Sequence, residues 1–227
     1  APSTLAELFV FWSRFPDAVL YAGGTGLLRG QGGRTLSLPT NLISLAKVEE
    51  LRRITRTERY LELGAAVTLG DVLALGKIVP EALSLTLKGI ANPQIRNLAT
   101  IGGNICTPGC SMDAAAVLVA LDARYELRSA AAAKWVSSLR FETEEGSSVQ
   151  GSQELLTRVR VPLEQWDYTI YRKIGHPHRR EGDGAAAVFI ARAQKDILSE
   201  VRLVFSGSTL IRERTIEASL AGKTLPL

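Results

Sequence analysis

Two glycine-rich segments, about 75 residues apart, set the tightest limits on this 227-residue chain: Gly23-Gly24-Thr25-Gly26 and Thr100-Ile101-Gly102-Gly103-Asn104. The first follows a short apolar run, Ala18-Val19-Leu20-Tyr21, which reads as a buried strand. A glycine turn leaving a buried strand exposes backbone N–H groups, and with no Cβ in the way such a concavity takes phosphate oxygens. Gly24, Gly26 and Gly30 give G-x-G-x-x-x-G, close to the dinucleotide fingerprint. That fingerprint must open a long helix, whereas Leu27-Leu28-Arg29 runs into Gly30, Gly32 and Gly33 and then an extended stretch. The second segment again combines a hydroxyl, paired glycines and an amide. Two such segments suit a ligand with two adjacent phosphates, held by backbone amides and hydroxyls. Two unrelated turns are the alternative on composition alone.

Charge and cysteine usage remove several other classes. Lys+Arg exceed Asp+Glu by 27 − 23 = 4, spread as 11 basic and 9 acidic residues in 1–113 and 16 and 14 in 114–227. A nucleic-acid binder concentrates its basic residues on one element or tail, so no nucleic-acid partner is expected. Cys106 and Cys110 cannot make a disulfide framework, nor by themselves hold a zinc or an iron–sulfur cluster. The longest purely apolar run, Ala114 to Leu121, falls far short of the roughly 20 residues a membrane span needs. The N-terminus lacks a basic region followed by an apolar stretch, so a soluble cytoplasmic protein is the expectation. At about 150 residues per domain, the length suits two modest domains or one with an appendage.

The pattern along the chain is a mixture of isolated strands and helices. Residues 3–13 read as a helix capped by Ser3 or Thr4, and Thr68 with Asp71 forms a weak capping box. Residues 35–45 look extended, 48–54 make a charged helical turn, and Tyr60–Leu63 reads as a strand. Residues 71–90 are helical in pattern with a break at Pro80, and Ala91–Asn104 reads as polar and turn-rich. Asp113 opens an alanine-rich helix reaching about Ala120. Strands follow at Arg124–Arg128, Leu156–Val161, Tyr168–Lys173, Ala185–Ala193 and Glu200–Phe205, with a short helix from Thr215. Lys134-Trp135 reads as a loop anchored by its aromatic, and 142–153 as a polar loop. Without strict βαβ alternation, the fold class is α+β.

Ordered along the chain, Ala22-Gly-Gly-Thr25, Leu63-Gly-Ala-Ala-Val-Thr68, Gln94-Ile-Arg-Asn97 and Ala99-Thr-Ile-Gly-Gly-Asn-Ile105 resemble the FAD-binding (medium) subunit of the molybdenum hydroxylases. This is the group of xanthine dehydrogenase and carbon monoxide dehydrogenase. The resemblance continues through Asp113, Ala120-Leu-Asp-Ala123, Glu154-Leu-Leu-Thr157, Val161-Pro162 and Tyr171-Arg-Lys173, nearly the whole chain. It implies a two-subdomain FAD-binding fold of the vanillyl-alcohol oxidase type over 1–163, divided into about 1–55 and 56–163. A small α+β C-terminal domain with an antiparallel sheet would follow over 164–227, truncated relative to the family.

The resemblance also implies a cofactor, FAD, and a set of residues that hold it. Leu20, Tyr21, Ala22, Gly23, Gly24, Thr25, Gly26 and Leu27 would wrap the pyrophosphate, with Thr100, Ile101, Gly102, Gly103 and Asn104 closing from the other side. Ile90 matches a position that packs on the flavin and is commonly aromatic in xanthine dehydrogenases. Asp113 matches an acidic residue reaching the nucleotide portion, Leu156 one whose backbone meets the isoalloxazine, and Lys173 a lysine near the cofactor. No catalytic acid–base residue and no metal ligand is expected in this chain. The implied work is electron transfer in a heteromeric complex. A molybdenum-cofactor large subunit and a [2Fe-2S] small subunit would be partners, and NAD+ or another acceptor would take the electrons. The alternative is a stand-alone FAD-dependent oxidase or reductase of the same fold; a third, non-enzymatic possibility is a scaffold that no longer binds flavin.

Some residues depart from the family pattern or fall outside it. Pro108-Gly109-Cys110 stands where Ala-Ser-Pro is usual, and Arg179-Arg180-Glu181-Gly182-Asp183 only loosely matches the segment after the lysine. Cys106 and Cys110, spaced C-x3-C, read as ordinary thiols, and His176 and His178 as loop residues without a third ligand.

Overall fold

The computed structural model describes residues 1–28, 37–107, 113–142, 153–174, 185–207 and 209–225. In chain order they form α1 (Leu5–Arg14), β1 (Val19–Tyr21), α2 (Thr25–Leu28), β2 (Leu42–Ser44), β3 (Ile54–Arg56), β4 (Tyr60–Gly64), α3 (Leu69–Ala74), α4 (Glu81–Gly89), α5 (Pro93–Arg96), α6 (Ile101–Ile105) and α7 (Asp113–Ala120). Then follow β5 (Arg124–Arg128), β6 (Ala133–Ser137), α8 (Ser138–Arg140), β7 (Leu155–Pro162), β8 (Tyr168–Ile174), β9 (Ala185–Gln194), β10 (Ile197–Ser206), β11 (Leu210–Ile211) and α9 (Arg214–Leu220). The 3-10 turns Glu49–Arg52 and Gly76–Ile78 complete the described elements. The fold is α+β.

The strands form three sheets. β1 and β2 pair in parallel, β3-β4-β7-β5-β6 make a five-stranded sheet, and β11-β10-β9-β8 a four-stranded one. Every pairing in the two larger sheets is antiparallel. Leu61, Leu63, Val159, Val161, Tyr125, Leu127 and Val136 line the buried face of the five-stranded sheet. The opposite face is polar, with Arg160 bonded to Glu62 and Arg158 to Glu126. That alternation follows from the two-residue period of a strand.

The central element is α7. Every residue from Ala114 to Leu121 is buried, and the helix packs against α4, α6, β9 and β10. An all-apolar helix with no polar stripe is stable only when surrounded, as this one is. Both its ends are tied to the four-stranded sheet. Arg202 and Arg212 donate to the carbonyls of Ala120 and Val119 at 3.1 and 2.9 Å, adding side-chain donors at the end of the helix, where carbonyls run short of backbone partners. At the other end, Asp113 meets Lys173 of β8.

Local signals in the sequence place most of these elements. Thr4, Thr68 and Asn92 each cap the helix that follows, accepting from the backbone N–H three residues on. Three expectations need correction. The strand at Val19–Tyr21 is only partly covered: Ala18 is buried, but Val19 is exposed. Ala91–Asn104 is not a run of turns, because it carries α5 and most of α6. Lys134 and Trp135 lie within β6, where Trp135 opposes Glu126 and stacks under the Arg160 guanidinium at 4.1 Å. Gly30, Gly32, Gly33, Cys110, His176, His178 and Arg179–Asp183 lie outside the described residues.

Candidate functional site

The first glycine segment is a turn built between β1 and the loop before α6. The Tyr21 carbonyl accepts from Leu45 at 2.8 Å, which ends the β1–β2 ladder. Gly23 then passes so close to the Leu98 carbonyl that a Cβ would collide with it. Gly24 has φ +72°, the left-handed region that favours glycine, and the space around its missing side chain is open. Gly26 comes beside Thr107, whose Oγ1 would lie 3.5 Å from an added Cβ. The two glycine segments are thus neighbours in space. Among the described residues, no protein acceptor pairs with the N–H groups of Gly23, Gly24, Thr25 or Gly26. These donors on a short glycine turn fit the phosphate oxygens of a dinucleotide.

The second segment is built differently from the expected cradle of free amides. It forms the first turn of α6 and is strapped along residues 65–69. Ile101 and Gly102 donate to the carbonyls of Val67 and Ala65, each at 2.9 Å, and Leu69 donates to Ala99 at 2.8 Å. The Gly103 amide donates to the Thr100 Oγ1 at 3.0 Å, the N-cap bond of the helix, and Asn104 donates to the Thr100 carbonyl. All four amides from 101 to 104 are therefore committed within the protein. Gly102 is a packing glycine: an added Cβ would lie 2.7 Å from the Ala65 Cβ and 2.8 Å from its carbonyl oxygen. The small Ala65 is thus matched to Gly102, whereas an added Cβ on Gly64 would collide with the Leu51 carbonyl. What the segment can offer a ligand is side-chain chemistry, from Thr100 and the Asn104 amide.

From Asn104 the site continues into α7. The Asn104 Oδ1 accepts from the Ala114 amide at 3.3 Å, at the first turn that Asp113 begins. Asp113 Oδ2 lies 2.5 Å from Lys173 Nζ. Two residues back along β8, Tyr171 packs its ring against Gly89, whose added Cβ would lie 3.0 Å from Tyr171 Cε1. Ile90 follows Gly89 directly and is buried. Leu156 is buried at the start of β7, beside Thr157, whose carbonyl accepts from Ala65. Gly23, Thr100, Asn104, Asp113, Lys173, Ile90 and Leu156 therefore belong to one connected set of contacts, although they come from six different elements or loops.

Two further residues beside this set carry no role in the sequence reading. Arg96 sends Nη1 to the carbonyls of Lys88, Ile90 and Ala91 at 3.2, 2.8 and 3.0 Å. It thereby pins the turn holding Ile90, where Ala91 adopts φ +46°. The motif Gln94-Ile-Arg-Asn97 contained that signal. Among the described residues the buried Tyr171 hydroxyl makes no hydrogen bond of normal length, and Asp113 is its longer-range polar neighbour. Burial first, and then the Asp113 charge, push its ionisation well above the ordinary phenol range. Among the described residues no group of His, Cys, Asp and Glu could hold a metal, no helix is long and apolar enough to cross a membrane, and Cys106 carries a free thiol.

Comparison with known proteins identifies the family and the fold. Residues 1–164 match the family model described as the FAD binding domain in molybdopterin dehydrogenase. The chain is 28% identical over 230 residues to the xanthine dehydrogenase FAD-binding subunit of Escherichia coli O157:H7, covering 99% of this chain and 78% of that protein. It is 29% identical over 211 residues to the glyceraldehyde dehydrogenase medium chain of Sulfolobus acidocaldarius, covering 90% and 73%. Against xanthine dehydrogenase 2 of Arabidopsis thaliana it is 30% identical over 250 residues, spanning 98% of this chain but 18% of that one. Among solved structures, a carbon monoxide dehydrogenase from Hydrogenophaga pseudoflava superposes with a TM-score of 0.80 at 27% identity, covering 99% of this chain and 79% of that one. The chain belongs to the family of FAD-binding domains in molybdopterin dehydrogenases, an oxidoreductase family whose cofactor is FAD.

Proposed function

We propose that this chain is the electron-transfer subunit of a molybdenum hydroxylase in the cytoplasm. Substrate would be oxidised on a molybdenum-cofactor large subunit, and electrons would pass through [2Fe-2S] clusters on a small subunit to the FAD held here. NAD+ or another acceptor would then receive them. The observation that carries this reading is the turn at Gly23–Gly26, whose amides have no protein acceptor among the described residues, set against the α6 segment and connected to the Asp113–Lys173 pair.

The residues divide the work by their chemistry. Leu20–Leu27 would hold the pyrophosphate through backbone donors, and Thr100 and Asn104 would add side-chain groups. Ile90 would give an apolar wall, and the Leu156 backbone would border the ring. Lys173 would supply positive charge, with Asp113 fixing its position. FAD, when bound, supplies the capacity to accept electrons and pass them on one or two at a time. The FAD-binding domain would cover 1–163, in subdomains of about 1–55 and 56–163, with 164–227 as the C-terminal domain.

A visible spectrum of the purified protein tests cofactor binding. Bands near about 370 and 450 nm, and a flavin that chromatographs as FAD after acid release, are expected. Recovery of FMN, or of no flavin even after reconstitution, overturns the reading. Co-purification with polypeptides bearing molybdenum and iron–sulfur centres tests the assembly, and anaerobic bleaching by NADH tests the acceptor. Substrate turnover by the isolated chain would favour a stand-alone oxidase.

A further inference from the structure

Tyr171 is enclosed by groups already placed in the candidate site. Its ring lies against Gly89, the residue before Ile90. Its hydroxyl is buried, makes no hydrogen bond of normal length among the described residues, and lies on the same face of β8 as Lys173, where the Asp113 charge acts on it. Two residues further along the same strand, Lys173 bonds Asp113 directly. A buried hydroxyl without a partner costs free energy, so packing alone would be better served by phenylalanine at this position. The Asp113 carboxylate is an acceptor on that side of the ring, and it carries the ammonium.

We infer that Tyr171 is a positioning residue of the cofactor site: its hydroxyl orients the Asp113 carboxylate, and through it the Lys173 ammonium, toward bound FAD. Carboxylate geometry is otherwise weakly restrained here, because Lys173 is half-exposed and its long stem is free to swing. A phenol fixed by a packed ring supplies a rigid second restraint. Such hydrogen bonds are commonly long without ligand and close when the site is filled. Gly89 belongs to the same device. With no side chain it lets the ring approach α4, so the ring couples the Ile90 turn to the Asp113–Lys173 pair. This inference rests on the reading of the chain as an FAD subunit.

The test compares FAD dissociation constants and apoprotein unfolding midpoints for the parent, Tyr171→Phe, Asp113→Asn and the double variant. Tyr171→Phe should weaken FAD binding about tenfold while leaving the unfolding midpoint unchanged or higher, because only an unpaired hydroxyl is lost. In the Asp113→Asn background the same change should have little further effect. Gly89→Ala keeps the hydroxyl but displaces the ring, and should also weaken binding; it provides an independent reading should Tyr171→Phe fold poorly. Tyr171→Phe binding FAD like the parent, or effects that simply add in the double variant, overturns the inference. A parent that binds no FAD overturns the function proposed above, and this inference with it.

Discussion

Lys173 Nζ and Asp113 Oδ2 lie 2.5 Å apart and join the edge strand β8 to the first turn of α7 across 60 residues of sequence. The lysine side chain is 50% exposed and the aspartate 14%, so solvent screens the cation far more than the anion. A pair of this kind adds little to stability. Its value is positional: the carboxylate suits the positive end of α7, and the ammonium is drawn to that end of the helix, where Asn104 also arrives.

The pair gives the electrostatics at the cofactor a sign that can be measured. Lys173→Met keeps an apolar stem, deletes the cation and leaves Asp113 without its counter-charge. Both changes disfavour a reduced flavin that carries negative charge. The two-electron reduction potential should fall, by roughly 30 mV for each 1.4 kcal/mol of lost differential interaction. Asp113→Asn should raise it, and the double variant should return close to the parent. A redox titration of the four proteins decides. An unchanged potential and unchanged FAD affinity in Lys173→Met would place the lysine away from the cofactor.

Gly23 and Gly24 are adjacent yet should fail in different ways. An alanine at Gly23 drives its methyl into the Leu98 backbone and forces apart the two loops that build the site. Overpacking of this kind costs about 1–3 kcal/mol or more, so both urea stability and FAD affinity should drop. At Gly24 the methyl meets nothing within 4 Å, and only the left-handed backbone is strained. Gly24→Ala should cost about 1 kcal/mol of stability while reducing FAD affinity more than that strain accounts for, because the methyl crowds the open side of the turn. Equal losses of stability in the two variants would contradict the geometry.

The second glycine pair separates in the same manner. Gly102→Ala meets Ala65 at 2.7 Å and should destabilise the apoprotein, whereas Gly103→Ala meets only the Thr100 hydroxyl at 2.9 Å. Thr100→Val removes the N-cap bond to Gly103 and should cost about 1 kcal/mol. Denaturant titration of the three apoproteins should rank Gly102→Ala as the most damaging.

Much of this architecture was legible because it is local. The caps Thr4 and Thr68, the break at Pro80, the alternation of β5 and β7, and the unbroken apolar run of α7 each announce an element without reference to the rest of the chain. Trp135 was misread because nothing within 130–138 alternates. Its strand is decided by pairing to β5 and by Arg160, 25 residues away. The Thr100–Asn104 segment shows the same limit at the site. Its hydroxyl and glycines were visible, but which amides remain free depends on Ala65 and Val67, more than 30 residues earlier. Family resemblance flagged Asp113 and Lys173 singly; their contact required the folded chain.

Two carboxylates should move stability with pH in opposite directions. At Glu126 burial works to raise the pKa, but hydrogen bonds from Arg158 and Thr157, and the charges of Arg158 and Arg128, outweigh it and bring it down to about 2. At Glu142 burial acts without such compensation, leaves Oε1 with no partner among the described residues and lifts the pKa to about 7. An unfolded glutamate titrates near about 4.3. The Glu126 contribution is therefore present above that value and lost as pH falls through about 2, whereas that of Glu142 is present below about 4.3 and lost as pH rises through about 7. Glu142→Gln should stabilise the protein at pH 8 by about 1–3 kcal/mol and do nothing at pH 4. Glu126→Gln should destabilise at pH 7 by about 1–2 kcal/mol, a figure reduced for solvent around the partly exposed Arg158, and should flatten the acid limb. Denaturant unfolding from pH 3 to 8 distinguishes them. A Glu142→Gln gain that is the same at pH 4 and pH 8 would mean that this carboxyl does not titrate between them, and that the burial of its oxygen is relieved by a partner supplied from elsewhere.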